Sequence, residues 1–278
     1  MQFTKMHGLG NDYVYVDGFA ETLPDTDPGL ADLAQRVADR HVGIGGDGLI
    51  VVVPAAAPDA HVRMRMFNAD GSESEMCGNG IRCVCKLVHD HRLGPDPDAD
   101  PLRVETGAGV LSLRSTRDEA GRVDAVAVDM GRPELDPARV PVDEAKLDDR
   151  LAGFHYVSMG NPHAVCFVDD DAPLARPQRG AELEVHPAFP NRINVHFVRV
   201  RDRATVDVYH WERGSGATLA CGTGACAVAV AGVRAGLLDR SVTAHLPGGP
   251  LQLDWPADDA TVTMTGPAVE VFRGVWPD

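Results

Sequence analysis

Glu212-Arg-Gly-Ser-Gly-Ala-Thr-Leu-Ala-Cys221-Gly-Thr-Gly-Ala225 is the stretch that decides how this chain of 278 residues is interpreted, because it sets a cysteine among glycines. The following residues, 226–236, are apolar on almost every side and predict a buried helix. The start of such a helix offers unpaired backbone N–H groups and the positive end of the helix dipole. Both features lower the pKa of a thiol and bind a carboxylate. The stretch therefore predicts a reactive cysteine beside an anion site.

The same arrangement occurs earlier in the chain, in Asn68-Ala-Asp-Gly-Ser-Glu-Ser-Glu-Met-Cys77-Gly-Asn-Gly80. Residues 81–93 then carry apolar side chains at helical spacing, and Gly94-Pro95 predicts the end of that helix. Each thiol thus lies at the mouth of a glycine-rich turn that opens a buried helix. Two such sites facing one another would form a two-thiol site for an anionic substrate.

Other segments repeat in the same order around the two cysteine loops. Gly10-Asn11 is predicted to form a turn before a strand in the first half, and Gly160-Asn161-Pro162-His163 takes the corresponding place in the second. A repeat of this length indicates a duplicated two-domain layout rather than a solenoid.

The domain boundary is placed at Gly121-Arg122, because the first set of motifs is complete by that point. The first predicted domain comprises residues 1–121 together with 266–278, which are expected to return to it. The second predicted domain comprises residues 122–265.

Composition and charge indicate a globular protein and argue against several other classes of protein. The apolar fraction of 44% and the charged fraction of 24% are typical of soluble globular chains. A net charge of −15 argues against nucleic acid as a partner. No apolar window approaches a membrane span, and the N-terminus lacks the apolar core of a signal peptide, so a cytoplasmic location is expected. The six cysteines contain no C-x-x-C pair, which disfavours structural zinc.

Together with Met159-Gly-Asn-Pro-His163, the two cysteine motifs closely resemble those of the diaminopimelate epimerase family, and the likeness runs along essentially the whole chain. The resemblance implies an α/β fold of two pseudo-symmetric domains, each a mixed, mostly antiparallel sheet curled around a central helix. It implies a site in the cleft between the domains, no cofactor, no metal and a homodimer. The implied reaction interconverts LL- and meso-2,6-diaminopimelate in lysine and peptidoglycan-precursor synthesis.

The residues present suit a reaction that inverts the configuration of an α-carbon. Removing a proton from one face and returning one to the other calls for two groups, and thiols need only a modest pKa shift to serve. Cys77 and Cys221 are therefore assigned as the acid–base pair. Carbanion formation without pyridoxal phosphate needs donors at the substrate carboxylate. The backbone amides expected to supply them are those of Gly78, Asn79, Gly222 and Thr223.

The remaining site residues come from the resemblance. It implies that His163 serves Cys77 and that Glu212 serves Cys221 and contacts the substrate. Arg213 suits the unreactive carboxylate, because a guanidinium binds a carboxylate through two hydrogen bonds. Four asparagines with both donors and acceptors would hold the two head groups of the substrate: Asn11, Asn68, Asn161 and Asn194.

The sequence departs from the family pattern at Gly48 and Ala217, where many members have glutamine and glutamate, so fine substrate contacts stay open. Alternatives are another cofactor-independent racemase of this fold, acting on proline, hydroxyproline or histidine, and a redox sensor in which Cys77 and Cys221 form a disulfide. A second charged head group for Arg213 favours diaminopimelate, and a response to reductant would separate an epimerase from a sensor.

Overall fold

The computed structural model describes residues 1–24, 26–169 and 177–277, and the chain divides into two compact units. Unit 1 comprises Met1–Val128 and Gly266–Asp278, and unit 2 comprises Asp129–Thr265. Unit 1 continues past Gly121 because the strand that begins at Val123 pairs antiparallel with the strand before it. The assignment of these segments as two epimerase domains stays a prediction.

Alternating apolar residues give some strands of unit 1 and short continuous apolar runs give others, and glycine-rich or polar turns separate them. Its elements are β1 (Gln2–Gly8), β2 (Asn11–Asp17), α1 (Asp27–Ala38), β3 (Gly48–Val53), β4 (Val62–Asn68), β5 (Glu73–Ser74), α2 (Gly78–His91), β6 (Leu102–Thr106), β7 (Gly109–Arg117), β8 (Val123–Asp129) and the late strand β17 (Val269–Val275).

Unit 2 contains a matching series. Its elements are β9 (Phe154–Ser158), β10 (Pro162–Phe167), α3 (Pro177–Glu184), β11 (Asn194–Asp202), β12 (Thr205–Glu212), β13 (Gly216–Ala217), α4 (Gly222–Arg234), β14 (Ser241–Leu246), β15 (Gly249–Asp254) and β16 (Thr263–Pro267), whose last two residues are counted in unit 1. Two short 3-10 turns, Glu144–Lys146 and Asp149–Leu151, precede β9.

Strand pairing follows the same sequence of directions in both units. In unit 1, β2–β3 and β4–β6 are parallel, and the other neighbours are antiparallel. In unit 2, β10–β11 and β12–β14 are parallel, and the other neighbours are antiparallel. Strand β17 pairs antiparallel with β1. The matched order is the structural form of the repeat seen in the sequence.

Each unit has one buried helix, and both begin earlier than the apolar pattern alone indicates. Helix α2 packs against β1, β2 and β7, and helix α4 packs against β9, β10, β11, β14 and β15. The helices begin at Gly78 and Gly222 because the preceding cysteine is already the N-cap. Arg92, in the left-handed conformation, ends α2.

The predicted fold class is confirmed: both units are mixed, mostly antiparallel sheets that pack around a buried helix. Helices α1 and α3 also lie on strands of their own units, α1 against β2, β3 and β4 and α3 against β11, β12 and β13. Within the described residues, no helix is long and apolar enough to cross a membrane.

Gly48, one of the two departures from the family pattern, is required by strand pairing. Its backbone pairs with Asn68, and a Cβ atom added there would lie 2.0 Å from the carbonyl oxygen of Phe67. A glutamine at this position would meet the same carbonyl. Ala217, the other departure, is exposed.

We expect Gly48→Ala to lower the free energy of unfolding by at least about 2 kcal/mol, because the new methyl group must force β3 away from β4. Urea denaturation of the purified variant measures the change. Ala217→Glu is the matched control and should stay within about 0.5 kcal/mol of the wild type. Equal stability of Gly48→Ala and the wild type would show that the strand pair tolerates a side chain here.

Candidate active site

In unit 1, the site is built on the first turn of α2. Cys77 is its N-cap, with extended backbone angles, and its sulfur accepts a hydrogen bond from the Gly80 N–H at 3.4 Å. The thiol donates to the Asn11 Oδ1 atom at 3.3 Å, and Cys77 is only partly buried. Helix geometry places the Gly78 N–H outside the intrahelical hydrogen-bond ladder. Cys77 therefore lies at a positive helix end, with the Asn11 amide directly against it.

Asn11 is oriented by a carboxylate that the sequence analysis did not single out. Its Nδ2 atom donates to Asp47 Oδ2 at 2.7 Å, so its oxygen is the atom presented to Cys77. Asp47 also accepts the Asp12 backbone N–H at 3.0 Å and pairs with Arg40 at 2.9 Å. The turn after β1 is thus held by charge-assisted hydrogen bonds.

Asn68 and Asn79, the other predicted amides of unit 1, are held differently. Asn68 donates to Ser72 Oγ at 2.9 Å and to Ser74 Oγ at 3.0 Å. Asn79 is 3% exposed and accepts from Arg82 Nη2 at 2.9 Å. The Arg82 guanidinium is fully buried beneath the helix start and also donates to the Gly78 carbonyl at 3.0 Å. It adds a positive charge to the end of α2 where an anion is expected to bind.

In unit 2, Cys221 is the N-cap of α4 but is much less accessible than Cys77. It is 4% exposed, and its sulfur lies 3.7 Å from Thr223 Oγ1. Burial, followed by the negative charge of Glu212, raises its pKa well above the usual value. A lowered pKa was expected from the helix start, and the structure differs because desolvation outweighs the helix end in this state. Cys221 is therefore a thiol at neutral pH.

Glu212 lies beside Cys221, as the family resemblance implies. Burial raises the pKa of this carboxyl, while hydrogen bonds from Thr218 and Cys221 act in the opposite direction. The Thr218 hydroxyl donates to Glu212 Oε1. The two acidic groups are thus coupled, because the charge of one disfavours ionisation of the other.

His163 is fully buried on β10, and both of its ring nitrogens are hydrogen bonded inside unit 2. Nε2 lies 2.9 Å from Asn161 Oδ1, and Nδ1 lies 2.9 Å from His196 Nε2. His196 in turn lies 2.8 Å from His210, Nδ1 to Nδ1. Burial, with smaller effects from the charges of His210 and Arg213, lowers the pKa of His163 to about 3. The imidazole is therefore neutral near pH 7.

Asn194 connects the two polar turns of unit 2. This residue is 3% exposed, and its Nδ2 atom donates to the Pro162 carbonyl at 2.8 Å. Its Oδ1 atom accepts the Arg213 N–H at 2.9 Å. The exposed Arg213 side chain donates to the Asn191 carbonyl at 3.0 Å. The side-chain amide of Asn194 thus fixes the backbone position from which the Arg213 side chain extends.

Within unit 1, the structure brings Cys77 and Asn11 together, and within unit 2 it brings Cys221 together with Glu212 and Thr223. Sequence reasoning missed five residues that are hydrogen bonded to predicted site residues or, for His210, to one of the other four: Asp47, Arg82, His196, His210 and Thr218. The two histidines had a usable signal, since each lies two residues from a predicted site residue on the same strand. Arg82 and Thr218 had none of comparable strength.

Among residues 1–24, 26–169 and 177–277, no group of three or more His, Cys, Asp or Glu is arranged to hold a metal ion.

Comparison with known proteins identifies the family to which this architecture belongs. Residues 3–135 and 155–271 match the family model described as diaminopimelate epimerase. The chain belongs to the diaminopimelate epimerase family. The resemblance carried by the two cysteine motifs is therefore confirmed.

Relatives match over nearly their whole length. A protein from Desulforudis audaxviator named diaminopimelate epimerase is 50% identical over 285 residues, which cover 99% of each chain. Relatives of the same name from Acetivibrio thermocellus and Methanococcus maripaludis are 47% and 45% identical. Both alignments cover 99% of this chain. They cover 98% of the Acetivibrio thermocellus protein and 99% of the Methanococcus maripaludis protein.

Solved structures with lower identity share the fold. A Bacillus anthracis phenazine biosynthesis protein of the PhzF family superposes with a TM-score of 0.72 at 17% identity, covering 99% of this chain and 98% of its own. A probable proline racemase from Agrobacterium radiobacter gives 0.69 at 16% identity, covering 99% and 92%. At such identities the likeness shows the fold alone.

We expect Gly224→Ala to damage the start of α4. An added Cβ atom would lie 2.4 Å from His196 Cε1 and 3.0 Å from Cys221 Sγ, and hydrogen bonds on both nitrogens restrain the ring. The free energy of unfolding should fall by about 1–3 kcal/mol, as measured by urea denaturation.

Arg234→Ala, at the exposed last residue of the same helix, is the control and should change stability by less than about 0.5 kcal/mol. Wild-type stability in Gly224→Ala would mean that the ring and the sulfur do not crowd this glycine.

Proposed function

We propose that the protein is a diaminopimelate epimerase that interconverts LL- and meso-2,6-diaminopimelate without a cofactor, with Cys77 and Cys221 as the acid–base pair. The observation that carries the proposal is the repeated helix start, since each unit places a cysteine at the N-cap of a buried, glycine-initiated helix. Relatives with this name, matched over nearly the full chain, support the choice of substrate.

The reaction moves two protons. In the LL-to-meso direction, the thiolate of Cys77 takes the α-proton, so a C–H bond breaks and an S–H bond forms. The thiol of Cys221 gives its proton to the opposite face of the carbon and becomes a thiolate. The difference between the two sites supports this direction, because burial raises the pKa of Cys221 and keeps it protonated until it donates.

The carbanion that forms between these steps needs stabilisation at the substrate carboxylate. The first N–H groups of α2 and α4, including those of Gly78, Asn79, Gly222 and Thr223, are proposed to donate to it. The buried Arg82 cation supports negative charge at the start of α2. Backbone donors of this kind are already oriented, so little reorganisation accompanies charge development.

Each thiol has a proposed proton partner. Glu212 manages the proton of Cys221, and its raised pKa and its hydrogen bond with that thiol support the role. His163 is proposed to manage the proton of Cys77, as the family resemblance implies. Both ring nitrogens are hydrogen bonded in this structure, so the role requires Nε2 to release its bond to Asn161 during the reaction.

The unreactive head group of the substrate is proposed to bind Arg213 through its carboxylate and the asparagines through both of its charged groups. Arg213 is exposed and held at its backbone by Asn194, which supports a guanidinium that can reach a ligand. Asn11, Asn68 and Asn161 are the other asparagines proposed to bind the substrate. Unpaired buried groups would penalise a substrate that lacks the second head.

The proposal includes a cytoplasmic homodimer, in keeping with biosynthesis of an intracellular metabolite. Sedimentation at several protein concentrations tests the dimer, and a monomer at the highest concentration would contradict it.

Incubation with LL-diaminopimelate in D2O, under reducing conditions and without added cofactor, is the test of function. Loss of the α-proton NMR signal with appearance of the meso isomer is expected. Absence of exchange would reject this substrate, and proline, hydroxyproline and histidine would then be tried in the same assay. An activity that is insensitive to reductant would argue against catalytic thiols.

We expect Cys77→Ala and Cys221→Ala each to reduce epimerisation at least about a hundredfold while the fold is retained, since each removes one of two proton carriers. Cys166→Ala, a buried thiol outside both helix starts, is the matched control and should keep near-wild-type activity. Isomer ratios followed by chiral chromatography measure the effect. Wild-type rates in either variant would contradict the two-base mechanism.

We expect Arg213→Ala to raise the KM for diaminopimelate about tenfold or more with a smaller change in kcat, because a charge-assisted contact with the unreactive carboxylate is lost. Arg192→Ala, which removes another exposed guanidinium of unit 2, is the control and should leave KM within about twofold. An unchanged KM in Arg213→Ala would remove this residue from the substrate clamp.

A further inference from the structure

Three histidines on adjacent strands of unit 2 form a buried line of imidazole rings, here called the imidazole chain: His163 on β10, His196 on β11 and His210 on β12. They are 0%, 0% and 6% exposed. The rings contact through nitrogen atoms, His163 to His196 at 2.9 Å and His196 to His210 at 2.8 Å. The outer end of the chain is the Asn161 amide, 2.9 Å from His163.

With the Asn161 oxygen toward His163 and all three rings neutral, the contacts allow one proton position on each ring. The Asn161 oxygen can only accept, so His163 carries its proton on Nε2 and has a lone pair on Nδ1. His196 must then donate from Nε2, which leaves its Nδ1 as an acceptor. His210 must donate from Nδ1, and its Nε2 keeps a lone pair.

At the inner end of the imidazole chain, this polarity leaves a buried lone pair without a partner, whereas the reverse polarity would leave a buried N–H group without one. His210 Nε2 is buried and has no hydrogen-bond partner in the part of the chain that the structure describes. Burial lowers the pKa of His210 to about 3, so the lone pair stays unprotonated near neutral pH. With every ring neutral, each hydrogen bond in the chain has one donor and one acceptor.

One ring of the imidazole chain, His196, also lies close to the start of α4. His196 Cε1 and Cys221 Sγ lie 2.4 Å and 3.0 Å from the point that a Cβ atom of Gly224 would occupy. The middle ring of the imidazole chain therefore lies near the start of α4, and its outer ring contacts the Asn161 amide.

We propose that His196 and His210 are positioning residues that fix the His163 tautomer and thereby the orientation of the Asn161 amide. The amide oxygen is held by His163, so its NH2 group faces outward as a pair of donors for a carboxylate. Reversed polarity would turn the oxygen outward, which repels a carboxylate and attracts an ammonium group. The imidazole chain thus determines which head group of an amino acid Asn161 accepts. The role in catalysis rests on the proposed function.

NMR of the wild-type protein labelled with ¹⁵N-histidine tests the polarity without any substitution. Two-bond nitrogen–proton correlations at pH 7 should show neutral rings, with the proton on Nε2 in His163 and His196 and on Nδ1 in His210. A proton on Nδ1 of His163, or an imidazolium among the three, would overturn the proposal.

A matched pair of substitutions at His196 tests the positioning role. His196→Met removes the donor to His163, whereas His196→Gln can place an amide N–H near the position of Nε2. KM for LL-diaminopimelate should rise about fivefold or more in His196→Met, with a smaller change in kcat, and return toward the wild-type value in His196→Gln. A folded His196→Met variant with the wild-type KM and an unchanged His163 tautomer would overturn the proposal.

His155→Phe is the control, because His155 lies on β9 of the same sheet, its ring edge on Phe167, and takes no part in the chain. Its KM should stay within about twofold of the wild type. If His196→Met does not fold, the histidine tautomers measured by NMR in the wild-type protein decide whether the proposal stands. An inactive wild-type protein would reject the proposed function, and the NMR result would still test the imidazole chain alone.

Discussion

A cysteine that caps a buried helix is the constraint on which the rest of this structure depends. The first turn of a helix leaves backbone N–H groups without intrahelical partners, and water cannot satisfy them all when the helix is enclosed by a sheet. Glycines follow Cys77 and Cys221 directly, and the surrounding strands pack against each helix. A carboxylate is the chemical complement of such an arrangement, and the fold builds it once in each unit.

The two copies share a scaffold but not an electrostatic environment. Around Cys77, the sulfur is partly exposed and faces a neutral amide, with the fully buried Arg82 guanidinium at the same helix end. Around Cys221, the sulfur is buried and faces the Glu212 carboxyl, and burial raises the pKa of both. The repeat thus gives both cysteines matching backbone geometry, while different neighbouring side chains leave one thiol partly exposed beside an amide and the other buried beside a carboxyl.

Local patterns were enough to predict both buried helices, and the order of turns and cysteines predicted the repeat, whereas the fold class came from the resemblance to a known family. The helix predictions depend on spacing within about 15 residues, where apolar periodicity and glycine punctuation act. His196 and His210 were missed because their contact depends on the register between β11 and β12, which no single segment encodes. Arg82 resembled an ordinary polar helix residue, and only the packed sheet shows that its guanidinium is enclosed. The raised pKa of Cys221 was missed for the same reason, since desolvation is a property of the assembled unit.

The late strand β17 has a consequence for how the chain is made. It completes the sheet of unit 1 by pairing with β1, from Gln2 with Val275 to His7 with Val269, and the Met1 and Trp276 backbones exchange hydrogen bonds beside it. During synthesis, all of Asp129–Thr265 leaves the ribosome before this partner strand does. Unit 2 is continuous in sequence and can fold as it emerges, whereas unit 1 waits with one edge of β1 unpaired. The half of the molecule that is translated first is thus the half that is finished last.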